Sequence, residues 1–179
     1  MNIKTRIAVN VLNDGGIISI PTDTIQGLSC LPRFDASLQK LIDLKKRSVE
    51  KGLILLASDP VYFQDYVEDI SLLTQLTSTI KDPITYLLKA SDTAPQILLG
   101  EHDTIAIRLT TNPLIMDLCK YTQSALVSTS ANISGLKAAK TTLELRIYFK
   151  NQLDYIIAPN KAENSPSSII NLQTGERLR

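Results

Sequence analysis

Ala125-Leu126-Val127-Ser128-Thr129-Ser130-Ala131-Asn132-Ile133-Ser134-Gly135 begins as a short apolar run and turns within three residues into hydroxyls and small side chains. The apolar part reads as a buried strand. The polar part reads as a loop that passes close to a ligand, with backbone N–H groups and hydroxyls converging on an anion. The same change recurs outward from this stretch. Gly16-Ile17-Ile18-Ser19-Ile20 leads into Pro21-Thr22-Asp23-Thr24 and Gln26-Gly27, and Leu53-Ile54-Leu55-Leu56 follows Lys45-Lys46-Arg47 and Lys51. Further strands are predicted at Ile84–Leu88, Thr104–Ile107 and Tyr155–Ile157. Polar clusters at strand ends are where open α/β sheets usually bind ligands.

Helices fill the intervals. Asp35 is expected to cap one whose Leu38, Leu41 and Ile42 share a face, and Asn112-Pro113 is a cap followed by a first-turn proline. Thr141-Thr142-Leu143-Glu144 fits a capping box, and another helical stretch is predicted over about Ser71 to Ile80. Gln173-Thr174-Gly175-Glu176 reads as a turn between two short terminal strands. The class is α/β. With no repeat or linker-like tract, one domain over 1–179 is predicted.

Composition narrows the chemistry. The chain is 44% hydrophobic and 21% charged, and no apolar run approaches the ~18 residues of a spanning helix. The start lacks the apolar stretch of a secretory signal, so a cytoplasmic protein is expected. Cys30 and Cys119 lie far apart and read as buried thiols, and a net charge of +1 does not mark a nucleic-acid coat. No phosphate loop of the GxxxxGK[ST] type, GxGxxG, HExxH or GxSxG is present, and the single histidine, His102, reads as a bystander in an exposed loop.

The clusters themselves suggest binding. Thr22, Asp23 and Thr24 offer two hydroxyls and a carboxylate suited to a small polar substrate, the carboxylate facing an ammonium group or a metal; a Pro-initiated turn gives the same pattern. Lys45, Lys46, Arg47 and Lys51 place four cations within seven residues. They repel one another unless solvent or an anion such as a triphosphate offsets them, although a solvated helix end is also favoured by the dipole.

In order along the chain these pieces resemble the YrdC/TsaC family. Ser128–Gly135, STSANISG, is similar to its most specific signature, and the Thr22–Thr24 and Lys45–Arg47 clusters are similar to its PTDT-like and KxR segments. Ile105-Ala106-Ile107-Arg108 with Asn112-Pro113-Leu114 resembles its AVR…HPL segment, and Ser165-Pro166-Ser167-Ser168-Ile169-Ile170 its PST segment. The resemblance runs from about Gly15 to Arg179. Ser48 stands where the family often has proline, and Lys81-Asp82-Pro83-Ile84-Thr85 where Pro-Gly-Pro-x-Thr is usual.

The resemblance implies a YrdC-like fold, an open twisted mixed sheet with flanking helices and a concave, locally basic cleft. It implies a nucleotidyltransferase that makes threonylcarbamoyl-AMP and pyrophosphate from L-threonine, bicarbonate and ATP, with Mg2+ accompanying the ATP and no metal site of its own. The product would pass to a tRNA-modifying threonylcarbamoyl transferase complex, with weak direct tRNA binding and no membrane contact. Carried over by position, Thr22, Thr24, Arg108, Ser128 and Ser167 belong to the threonine site. Lys45, Arg47, Lys51, Ser130, Asn132 and Arg179 belong to ATP, with Lys45 and Arg47 catalytic. Such transfers need positioning and charge stabilisation rather than a protein nucleophile. Two rivals share the fold: an RNA-binding module without catalysis, which the six tyrosines and three phenylalanines serve poorly, and a carbamoyl-adenylate transferase with another acceptor.

Overall fold

The computed structural model describes residues 1–78, 82–159 and 167–178. In chain order the elements are α1 (Ile3–Asn13), β1 (Ile18–Pro21), β2 (Gln26–Ser29), α2 (Asp35–Lys45), β3 (Ile54–Ala57), 3-10 helices at Pro60–Tyr66 and Ile70–Gln75, β4 (Ile84–Lys89), α3 (Gln96–Leu99), β5 (Thr104–Leu109), α4 (Pro113–Thr122), β6 (Leu126–Ser130), α5 (Thr142–Phe149), β7 (Tyr155–Ile156) and β8 (Ser168–Asn171).

The strands form one eight-stranded mixed sheet in the order β7-β1-β2-β6-β3-β5-β4-β8. Pairs β7–β1, β3–β5 and β4–β8 are parallel, and the remaining neighbours are antiparallel. Successive side chains of a strand point to opposite faces. On β5, Ile105 and Ile107 are fully buried in the core, whereas Thr104 and Ala106 on the other face are only half-buried. The core joins Ile105 and Ile107 to Leu55, Val127, Leu12 of α1 and Ile115 and Leu118 of α4.

Local chemistry explains the helix ends. Asn112 Oδ1 accepts from the backbone N–H of Leu114 and Ile115 ahead of Pro113. At α5 the Thr141 hydroxyl accepts from Glu144 N while Glu144 Oε2 accepts from Thr141 N, the expected capping box. α1, which the sequence reading did not identify, is capped by Asn2 and buries Thr5, Ala8, Val9 and Leu12 at helical spacing.

Three expectations are corrected. Asp35 does not cap α2: Phe34 occupies that position without a side-chain bond, and Asp35 is the first helical residue, where its charge favours the dipole. The stretch predicted as helical from Ser71 is a 3-10 helix that ends at Gln75, with Leu76 already extended and Asp69 capping its start; Thr79 and Ile80 lie outside the described residues. β2 is an additional strand. Pro21 pairs with Gln26, so Thr22–Ile25 is the tip of a β1–β2 hairpin, and β2–β6 pairing sets the base of that tip beside Ser130.

Candidate functional site

A cleft of about 550 Å³ lies against the face of the sheet that carries Ile54, Thr85, Leu87, Thr104, Ala106 and Arg108. That volume is in the range of sites for small ligands. These residues alternate with core residues along β3, β4 and β5, so the cleft floor is the sheet face itself, not the strand-end crevice expected from the sequence.

Register gives the cleft a direction. Ala106 stands opposite Ile54 and Leu87, and Ile54 opposite Ser128. Arg108 marks one end. Carrying the β4–β5 register one residue further places Thr85 beside it, and Thr85 Oγ1 lies 2.8 Å from Ser167 Oγ. Arg108 Nη1 donates to Thr24 Oγ1 at 3.2 Å, and Thr24 Oγ1 lies 2.9 Å from Thr22 Oγ1. This end is a shell of hydroxyls around one guanidinium.

Thr104 marks the other end, roughly 13 Å away at ~3.3 Å of rise per residue. Arg47, Lys51 and Ser130 line it. Arg47 donates from Nε to Lys51 O at 3.1 Å and from Nη2 to Gly52 O at 2.8 Å, which fixes its plane, and burial lowers its pKa from the ordinary arginine value. The turn is pressed against α3 and the residue after it: a Cβ on Gly52 would meet Leu98 O at 2.7 Å, and a Cβ on Gly100, at φ +71, would meet Glu50 O at 2.1 Å. Leu98, Leu99, Leu87, Ile169 and Leu178 supply an apolar wall, and Leu178 N is held by Ile169 O at 2.9 Å.

Of the residues singled out from the sequence, Thr22, Thr24, Arg108, Ser128 and Ser167 line the cleft, as do Arg47, Lys51 and Ser130. Lys45 and Asn132 do not. The Lys45 side chain leaves the helix toward the protein interior, with 2% of the residue exposed, and its ammonium donates to Ser130 O, to Asn132 O at 2.8 Å and to Asn132 Oδ1 at 2.9 Å. Its own carbonyl accepts from Ser134 N at 2.8 Å. Asn132 Oδ1 also accepts from Ser130 Oγ at 2.6 Å, while its amide donates to Leu136 O at 2.6 Å. Both residues thus build the loop behind the cleft, apart from the cleft-lining Arg47. The cause is sequence spacing: Arg47 lies past the left-handed cap at Lys46, φ 48, so the chain turns and the two cations diverge. Arg179, Lys81, Ser165 and Pro166 lie outside the described residues.

His102 is exposed, as expected, but it lines the cleft rim. Thr104 was also missed as a cleft residue. The alternation Thr104, Ala106, Arg108 against Ile105, Ile107 carried that signal, since residues two apart share a face with Arg108. The thiols are buried, and burial pushes Cys30 up to about 12 and Cys119 up to about 11, so neither supplies a thiolate near neutral pH. No described group of three or more His, Cys, Asp or Glu side chains is placed to hold a metal ion, and no helix among the described residues is long and apolar enough to cross a membrane.

The Sua5/YciO/YrdC family model, described as "Telomere recombination", matches residues 10–179. A relative from Nitrosococcus oceani named threonylcarbamoyl-AMP synthase is 40% identical, with 99% of this chain and 98% of that one covered. One of the same name from Enterobacter sp. is 35% identical over 96% and 93%. Among solved structures, P. abyssi Sua5 complexed with L-threonine superimposes with a TM-score of 0.81 at 21% identity; the match covers 94% of this chain and about half, 51%, of that one. The fold is therefore that of Sua5, and the family match over residues 10–179 with 35–40% identity to relatives over nearly their whole length completes the assignment: the chain belongs to the Sua5/YciO/YrdC family.

Proposed function

We infer that the protein is a threonylcarbamoyl-AMP synthase, which supplies the activated intermediate for threonylcarbamoyladenosine modification of tRNA. The observation that carries this reading is the polarity of a single cleft, with a hydroxyl shell around Arg108 at one end and Arg47 and Lys51 at the other. L-threonine fits the first end: its carboxylate faces the Arg108 guanidinium, and its side-chain hydroxyl finds partners among Thr22, Thr24, Ser128 and the Thr85–Ser167 pair. The ATP phosphates fit the second, facing Arg47, Lys51 and the Ser130 hydroxyl.

In this reaction the threonine amine takes up a carboxyl group from bicarbonate and releases water. A carbamate oxygen then forms a bond to the α-phosphorus of ATP as the bond from that phosphorus to the bridging oxygen breaks, and pyrophosphate leaves with its electron pair. The protein contributes alignment across roughly 13 Å of sheet face and cations where charge grows on the leaving group. Magnesium suits ATP oxygens and needs few protein ligands, so it would be held chiefly by the phosphates and would add charge neutralisation there when bound.

Pyrophosphate release measured with each substrate omitted in turn is the test. Release that requires threonine, bicarbonate and magnesium-ATP together is expected, with valine at least about 100-fold poorer, because a site built to bond a hydroxyl leaves buried groups unpaired without it. Equal release without threonine would remove the reading.

A further inference from the structure

Asp23 is absent from the cleft wall, yet Asp23 Oδ1 lies 3.3 Å from Arg108 Nη2, with 10% and 4% of the two side chains exposed. The same guanidinium donates from Nη1 to Thr24 Oγ1 at 3.2 Å, and Thr22 Oγ1, which lies 2.9 Å from Thr24 Oγ1, donates to Ile25 O at 2.8 Å. The β1–β2 hairpin tip therefore grips two nitrogens of an arginine that belongs to a different strand, β5.

We propose that Asp23 is a positioning residue that orients Arg108 and balances its charge, so that this end of the cleft selects a zwitterion over a small anion. The proposal rests on the reading that an amino acid binds there. A guanidinium fixes a plane only when its nitrogens are held, and an Arg108 free to swing would present its donors to the substrate carboxylate at the wrong angle. Charge sets the selectivity. In a site this enclosed an unbalanced cation attracts any small anion strongly, because the effective dielectric is well below that of water. With Asp23 behind it the pair carries no net charge and presents a dipole. The carboxylate of a zwitterion still meets the guanidinium while its ammonium is repelled less than by an unbalanced cation, whereas sulfate or phosphate loses much of its attraction to the pair.

Calorimetric titration of the full chain with L-threonine, and separately with sodium sulfate at constant ionic strength, reads both halves of the proposal. Asp23→Asn is expected to weaken threonine binding about ten-fold or more and to strengthen sulfate binding about ten-fold, with sulfate becoming competitive against threonine. Asp23→Glu keeps the charge but moves it by one methylene; it is expected to lose threonine affinity without gaining sulfate. A gain of sulfate affinity is a readout that simple loosening of the hairpin does not produce. Loss of threonine binding in Asp23→Asn with no sulfate gain would overturn the charge-balancing role, and unchanged threonine binding in Asp23→Glu would overturn the positioning role, which also covers the case in which Asp23→Asn does not fold. Wild-type protein that binds no threonine would instead refute the functional reading, and the sulfate comparison would still decide the role of Asp23.

Discussion

Three oxygen acceptors surround the Lys45 ammonium, while burial and the neighbouring Arg47 guanidinium push its pKa down to about 7. Below that pH the folded and unfolded chains both carry the proton, and the cost of burying the cation is present in full. Between about 7 and the ordinary 10.5 the folded chain sheds the proton while the unfolded chain keeps it, so this residue makes stability rise with pH across that window. The melting temperature of wild type is expected to rise from pH 7 to pH 9.5 relative to Lys45→Met, and a parallel pH dependence in the two proteins would contradict the assignment. Lys45→Met also leaves buried carbonyls without donors, at about 1–3 kcal/mol, so it should lower the melt and disturb ATP binding less than Arg47→Ala. Nothing in the residues Lys45-Lys46-Arg47 themselves separates the buried cation from the cleft-facing one. That division depends on the left-handed turn at Lys46 and on Ser130 and Asn132, more than eighty positions away.

Elements whose signals are local were legible, and those whose signals come from a partner were not. The capping box at Thr141 and the cap at Asn112 are complete within four residues of sequence, and each opens the helix expected of it. β2 lacks such a signal: Gln26-Gly27-Leu28-Ser29 contains no β-branched or aromatic residue, and it is a strand because β1 and β6 pair with it on either side. At Gly27 a Cβ would sit tightly, 3.3 Å from both Thr129 O and Thr22 Cγ2. No residue of α5 lines the cleft. Thr141→Ala should destabilise by about 1 kcal/mol, or roughly 2–4 °C in melting temperature, and leave pyrophosphate release unchanged. Loss of activity at an unchanged melt would show that α5 takes part in the site.

At the scale of the whole molecule, function depends on bringing together segments that are remote in sequence. The hairpin tip at Thr22–Ile25, the turn at Arg47–Gly52, β5 and the end of β6 meet only through the sheet order, which sets β6 between β2 and β3. The net charge of +1 hides this arrangement, because the cations that matter are Arg47, Lys51 and Arg108 in one cleft, the last of them balanced by Asp23. In the proposed reaction the cleft would join an amino acid to a nucleotide, and two products satisfy that description: a threonyl adenylate, and an adenylate in which a carbamate carbon stands between threonine nitrogen and phosphate. Mass spectrometry of the nucleotide product made from 13C-labelled bicarbonate, L-threonine and magnesium-ATP separates them. A threonine–carbamate–AMP adduct that carries one labelled carbon is expected; an unlabelled threonyl-AMP, or AMP and ADP with no adduct in a rapidly quenched reaction, would contradict the proposed reaction.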